Sequence, residues 1–276
     1  MPSTPSATPS RSSRPSWPEP GQPPLSDVPR LSRRTRLALW VQREVGRVTS
    51  VFWIPAGSFA LRYVMGYRIK NATRLRKRFR RLMAESDEPV LICANHLTMV
   101  DSMLVAWALG GTWWYLFNYR RMPWNLPEYR NFASLWFGRA AVWLTKCIPI
   151  RRGGRREHVS GVLKRVKYLL SRGETALIFA EGGRSRTGRI QLDSIAHGMG
   201  RIASNVRDCR ALVVYMRGDR QRTWSTVPAM GDSFYVDFEV IRPHSERTGM
   251  RRSREYAQQI AQRLVGMEEK YFARRK

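Results

Sequence analysis

Residues 90–104 read VLICANHLTMVDSML, and this stretch decides the fold. Val90 to Ala94 is a short apolar run, the length of a buried strand. From Thr98 to Leu109 the apolar residues fall at helical spacing. Between the two sits a polar cluster, Asn95, His96, Thr98 and Asp101. A strand that ends in polar residues and turns into a helix is the repeating unit of an α/β sheet, where ligands gather at strand ends.

The same alternation continues downstream. TALIFA (175–180), ALVVYM (211–216) and FYVDFEVI (234–241) read as further strands. EHVSGVLKRVKYLLSRG (157–173) is an amphipathic helix with Val159, Val162, Leu163, Val166, Leu169 and Leu170 on one face, stopped by Gly173. A last helix runs from about Arg252 to Phe272, with Tyr256, Ile260, Leu264 and Met267 inward. Residues 141–150 read as a helix end and a strand leading into CIPIRRGG. Residues 113–130, rich in Trp, Tyr, Asn and Pro, read as a loop or irregular lid. Residues 87–276 are therefore expected to form one α/β domain, a mixed sheet flanked by helices.

Upstream the composition changes. Residues 1–35 are a Pro/Ser-rich tail; nine of the sixteen prolines fall before residue 31. Such a segment buries too little apolar surface to offset ordering entropy, and it contains no apolar secretion signal. Residues 36–86 read as a helical, basic, membrane-associating segment preceding the domain, with a helix over 36–66 broken near Pro55-Ala56-Gly57. The apolar stretch 48–61 would reach roughly 21 Å as a helix, short of a ~30 Å hydrocarbon core, so it lies in an interface or packs as a core helix. A second apolar stretch, 132–150, is interrupted by Arg139 and Lys146. Over 71–86, Leu75, Phe79, Leu82 and Met83 share a face and six Lys/Arg cover the rest. That pattern suits either an anionic bilayer or a solvated surface helix. The expected location is the cytoplasmic face of the cell membrane, peripheral or monotopic.

The formal net charge of +28, from 49 Lys+Arg against 21 Asp+Glu, calls for an anionic partner. No helix-turn-helix, zinc-finger or RNA-recognition pattern is present, so an anionic phospholipid surface or phosphorylated substrates are expected and nucleic acid is not. Cys93, Cys147 and Cys209 are scattered in apolar contexts without CxxC spacing, which argues for reduced, buried side chains.

His96 and Asp101 are five residues apart, about 140° around a straight helix, so they meet only if the helix begins between them. Thr98 as N-cap places Asp101 at the third helical position. Two readings follow. Either Asp101 caps the Thr98 backbone N–H and His96 is a loop residue, or Asp101 holds the His96 ring and leaves its other nitrogen to act as a base. A second cluster, FAEGGRSRTGRI (179–190), runs a strand into Glu181, two glycines and three arginines. Gly182 and Gly183 permit close backbone approach to a ligand, and Arg184, Arg186 and Arg189 offer forked donors for phosphate. No Gly-Lys-Ser/Thr follows, so this is not a P-loop. IPIRRGG (148–154) is a second strand-to-basic-loop junction.

Taken in order, NHLTMVD (95–101), IPIRR (148–152) and FAEGGRS (179–185) resemble three blocks of the glycerophospholipid acyltransferases, over roughly residues 85–220. The first block is similar to lysophosphatidate acyltransferases. The third is similar to glycerol-3-phosphate acyltransferases, with Ala180 and Gly183 where proline and threonine are usual. Met216-Arg217 stands where a proline normally follows the fourth-block strand.

The resemblance implies acyl transfer from an acyl-CoA or acyl carrier protein thioester to a hydroxyl of a phosphorylated lipid acceptor, foremost lysophosphatidate. His96 is then the general base and Asp101 its orienting partner. Asn95, Arg151, Arg152, Glu181, Gly182, Gly183 and Arg184 are the expected substrate-binding residues. Arg151, with Arg152 beside it, holds the acceptor phosphate, Glu181 binds an acceptor hydroxyl, and Arg184 pairs with phosphate. No cofactor or metal is expected beyond the thioester co-substrate. The alternatives are an acyltransferase for a specialised lysolipid, such as an amino-acid lipid, and a silent membrane-binding relative.

Overall fold

Val90–Ala94 lies inside a six-stranded sheet, and all five of its residues are buried. The computed structural model describes residues 28–129, 136–151 and 153–275. In chain order the elements are α1 (Arg33–Phe59), β1 (Arg68–Ile69), α2 (Ala72–Glu85), β2 (Val90–Ala94), α3 (Asp101–Leu109), α4 (Thr112–Phe117) and β3 (Trp124–Asn125). They continue with α5 (Trp136–Leu144), α6 (Arg156–Ser171), β4 (Thr175–Phe179), α7 (Gly198–Ala203), β5 (Arg210–Gly218), β6 (Ser233–Ile241) and α8 (Gly249–Ala273). The sheet order is β1-β6-β5-β2-β4-β3. Among the described residues only the β5–β6 pair is antiparallel, so the sheet is mixed, as expected.

Side chains alternate across this sheet. Leu91, Cys93, Ala211, Val213 and Tyr215 point into one core with residues of α6, α7 and α8. Val90, Ile92, Ala94, Leu212 and Val214 point into a second core with residues of α2, α3 and α4. Helices thus cover both faces, which is why β2 and β5 are apolar throughout rather than alternating. Strands β2, β3, β4 and β5 run parallel, so their carboxyl ends, Ala94, Asn125, Phe179 and Gly218, gather along one edge. The loops that carry His96, Arg184 and Trp224 leave from that edge. Cys93, Cys147 and Cys209 are buried free thiols, and burial pushes Cys147 and Cys209 up to about 11 and about 12.

Several sequence expectations change. Helix α1 does not break at Pro55; it runs through to Phe59 and relaxes into a π-helical turn at Ala60–Val64. The segment 113–130 is no lid over residues 113–129: Tyr115, Tyr119 and Trp124 are buried core side chains and Trp124 opens β3. The strand expected before CIPIRRGG is reduced to two isolated bridges, Asn125 with Cys147 and Glu128 with Ile150. Lys146, one of the charges interrupting the 132–150 stretch, is fully buried. Its Nζ donates to Glu174 Oε2 at 2.7 Å and to the Met122 carbonyl at 2.7 Å. Trp124 Nε1 donates to the same carboxylate oxygen at 3.0 Å. This buried pair ties β3 to the start of β4, and with it the segment leading to the site.

Helix α2 spends its amphipathicity inside the protein. Leu75, Phe79 and Met83 are buried, with Phe79 edge-on to Trp114 at 5.4 Å. Arg76 and Arg80 donate to carbonyls at the end of α3, Arg78 reaches Asp237 and Arg81 reaches Glu85. The apolar face, read as suiting either a bilayer or a surface helix, is thus part of the core, and the basic face is largely engaged with protein acceptors. The tail lies outside the described residues up to position 27, and α1 begins at Arg33, inside the range assigned to the tail. Residues 132–135 and Arg152 also fall outside the described residues.

Candidate active site

The loop after β2 brings His96 and Asp101 together. His96 Nδ1 lies 3.1 Å from Asp101 Oδ2. The same oxygen accepts from the Leu97 N–H at 2.6 Å and the Thr98 N–H at 2.7 Å, while Oδ1 accepts from Thr98 Oγ1 at 2.5 Å. One carboxylate therefore both caps the turn and holds the ring. The helix starts later than its sequence indicates. Thr98 is not the N-cap; α3 begins at Asp101, because the tight turn over 98–100 lets Asp101 fold back over residues 97 and 98.

Because Nδ1 faces the carboxylate, the imidazole is held as the Nδ1–H form and Nε2 is left as the acceptor. Among the described residues Nε2 has no hydrogen-bond partner on the protein. The ring stacks on Phe179, centroids 3.9 Å apart and planes 9° from parallel. The last side chain of β4 thus fixes the plane that Asp101 fixes in rotation. His96 is 8% exposed and lines a cavity of about 590 Å³. The cavity wall also includes Asn125 at the end of β3 and Leu126 to Glu128 beyond it, Gly183, Arg184 and Arg186 beyond β4, and Trp224 beyond β5.

The expected substrate-binding residues divide. Gly183 and Arg184 line the cavity with His96. The Arg184 guanidinium lies 4.9 Å from the Trp224 ring centroid. Gly182 has φ +61, and a Cβ there would lie 2.9 Å from Ala196 Cβ. Its requirement is thus conformational and steric, within the loop.

The Asn95 carboxamide is engaged by the protein. Its side chain donates to the Met216 carbonyl at 2.9 Å and accepts from the Met216 N–H at 2.8 Å. One residue past the end of β2, the carboxamide supplies the next rung of the β2–β5 ladder. Glu181 likewise turns toward the protein: Oε1 accepts from the His96 backbone N–H at 3.2 Å. Burial first of all, then repulsion from Glu268 and Asp101, pushes its carboxyl up to about 7, against the His96 N–H and Ser185 contacts that favour the charged form.

Two arginines expected at phosphate have protein partners in the structure. Arg151 places its guanidinium 4.4 Å from the Tyr129 ring centroid, one residue past the Glu128–Ile150 bridge. Arg189 pairs with Glu268 at 3.3 Å and covers Phe272. Arg186 instead is exposed on the cavity wall.

Sequence reading missed Phe179, Trp224 and the 125–128 wall. Phe179 reads as one more apolar strand residue. Trp224 was legible only as a lone aromatic in a polar loop, and the wall depends on β3, a two-residue strand too short for any period. Among the described residues no group of three or more His, Cys, Asp or Glu is placed to hold a metal ion.

No curated protein matches the chain. The sequence model of the family described as Acyltransferase matches residues 66–236. That span is wider than the 85–220 suggested by the motifs; it leaves out α1 and ends within β6. It contains the Asp101–His96 pair, the cavity wall and all four parallel strands that carry them, and on this match across well over half its length the chain belongs to the acyltransferase family.

Proposed function

We propose that the protein moves a fatty acyl group from an acyl-CoA or acyl carrier protein thioester to a hydroxyl of a glycerol-phosphate-type acceptor, most of all lysophosphatidate, in phospholipid synthesis. The observation that carries this reading is the acceptor nitrogen of a carboxylate-held imidazole in a cavity that also presents Arg184 and Arg186. His96 Nε2 takes the hydroxyl proton as the oxygen attacks the thioester carbonyl. The carbon–sulfur bond then breaks, and the imidazolium returns its proton to the leaving thiolate. Asp101 stabilises the imidazolium between the two steps. Arg184 and Arg186 line the cavity with His96 and take the phosphate in preference to Arg151, which is not part of that lining.

The decisive assay offers the full chain labelled acyl-CoA and, separately, acyl carrier protein. Glycerol 3-phosphate, lysophosphatidate and an amino-acid lysolipid are supplied in parallel, with His96→Ala as control. Acylation of lysophosphatidate that disappears in the control is expected. Turnover of the amino-acid lysolipid alone keeps the chemistry and rejects the acceptor; no turnover of any acceptor rejects the enzyme reading.

The proposed partner surface is an anionic membrane, met peripherally at its cytoplasmic face through α1. No described helix is long and apolar enough to cross a bilayer. Yet α1 is inverted relative to an ordinary surface helix. Its exposed side chains include Leu37, Trp40, Val48, Val51, Phe52 and Phe59, which fall within an arc of about 120° at 100° per residue. Its buried face holds Gln42, Gly46 and Ser50 beside Leu39 and Ile54. A Cβ on Gly46 would collide with the Tyr119 hydroxyl, so this face packs by close backbone approach. Small and polar residues inward with large apolar residues outward is the arrangement of a helix in contact with lipid. Trp113 and Phe117, also exposed, extend the surface from α4, which Thr112 joins to Ser58 of α1 by a 2.6 Å hydrogen bond.

A further inference from the structure

Two loops frame the cationic side of the cavity: residues 181–190 after β4, with Arg184 and Arg186, and residues 219–232 after β5, with Trp224. Each is fastened to the His96 loop at its near end. Ser185 N–H donates to the His96 carbonyl at 2.9 Å, Ser225 N–H to the Leu97 carbonyl at 3.1 Å, and Met99 N–H to the Thr226 carbonyl at 3.0 Å. At the far end the two loops meet at one side chain. Arg217, 6% exposed in β5, donates through Nη1 to the Gly188 carbonyl, through Nη2 to the Arg222 carbonyl at 2.7 Å and through Nε to the Gln221 carbonyl at 3.0 Å. Ser185 Oγ to the Arg189 carbonyl at 2.6 Å completes the first arc. The result is a closed ring of hydrogen bonds and the short chain segments between them, from His96 through Ser185, Gly188, Arg217, Arg222 and Ser225 to Leu97. The Phe272 ring, 5.0 Å from the guanidinium, backs the far link.

We propose that Arg217 is a positioning residue for the anion-binding wall. It holds the Arg184–Arg186 loop and the Trp224 loop at a fixed separation and so sets the affinity for the phosphorylated acceptor. This rests on the reading that the cavity takes such an acceptor. Three carbonyls from two loops are met by one planar, forked cation, and a lysine ammonium at the end of a flexible stem does not reproduce that fork. The loops touch directly as well: Gly188 has φ +71, and a Cβ there would collide with the Arg222 carbonyl oxygen and lie 2.9 Å from Thr223 Cα. The junction is therefore open to two independent perturbations, one removing the clasp and one wedging the loops apart.

The experiment compares full-length wild type, Arg217→Lys and Gly188→Ala by amide hydrogen exchange, thermal unfolding and steady-state kinetics. Cooperative unfolding is expected in at least one variant. In that variant, exchange over 183–190 and 221–226 rises together while the Leu97 and Thr98 amides, held by Asp101, stay at wild-type rates. The acceptor KM rises about tenfold or more with kcat within about threefold, as for loss of a ground-state binding geometry. The proposal is overturned by wild-type exchange in both loops, by raised exchange with unchanged KM, by a fall in kcat alone, or by failure of both variants to fold. If the wild type turns over no phosphorylated acceptor, it is the reading of the function that fails. The exchange data then still decide whether Arg217 clasps the loops.

Discussion

Replacing Asp101 separates its two duties. In Asp101→Ala the buried Leu97 and Thr98 N–H groups lose their acceptor. At about 1–3 kcal/mol for each buried unpaired donor, the loss is about 2–6 kcal/mol. For a chain of this size that lowers Tm by about 5–20 °C. In Asp101→Asn the carboxamide oxygen still accepts from both N–H groups and from His96 Nδ1. The new NH2 takes the place of Oδ1 beside Thr98 Oγ1, which rotates to accept. Stability is then nearly retained, while the negative charge opposite the imidazolium is gone and kcat falls by about 10²–10⁴-fold. Thermal denaturation and His96-dependent acyl transfer, measured on the same preparations, read the two effects. Equal destabilisation by both substitutions would refute the cap geometry. Near-wild-type turnover in a folded Asp101→Asn would refute the use of the charge.

Three further outcomes test other parts of the structure. Asn95→Ala strips partners from the Met216 N–H and carbonyl and is expected to cost about 2–4 kcal/mol in urea denaturation; an unchanged midpoint would contradict the clasp. The Glu181 carboxyl, raised to about 7 from an ordinary 4.5, binds more protons folded than unfolded between those values. Its contribution to stability is therefore full at low pH and lost as pH rises toward 7, flat above it. Glu181→Gln should remove that part of the slope in denaturation midpoints across pH 4.5–7, and an identical pH profile in both proteins would count against the burial. Phe52→Glu together with Val48→Glu, both on the exposed face of α1, should weaken binding to phosphatidylglycerol vesicles about tenfold or more. Sedimentation indistinguishable from wild type would dismiss α1 as the membrane surface.

The amino-acid sequence by itself determined the elements whose residues carry a period or a stop. Strand β2 falls at Val90–Ala94 as read, and α2 and α6 lie within a residue or two of their patterns. Local chemistry sufficed there: apolar spacing, and Gly173 at φ +78 ending α6. The pairing of His96 with Asp101 was legible only as one of two alternatives, because sequence spacing does not show where a helix begins. The backbone decided it by starting α3 at Asp101. Other assignments belonged wholly to tertiary structure. Whether an arginine reaches a ligand or a neighbour depends on partners far along the chain: Glu268 takes Arg189, and the carbonyls of Gly188, Gln221 and Arg222 take Arg217. The two amphipathic segments show the same limit. An apolar face announces that it will be covered but not by what. In α2 that cover is the sheet together with α3 and α4, whereas in α1 Gly46 and Ser50 face the protein and leave Val48, Val51 and Phe52 outward.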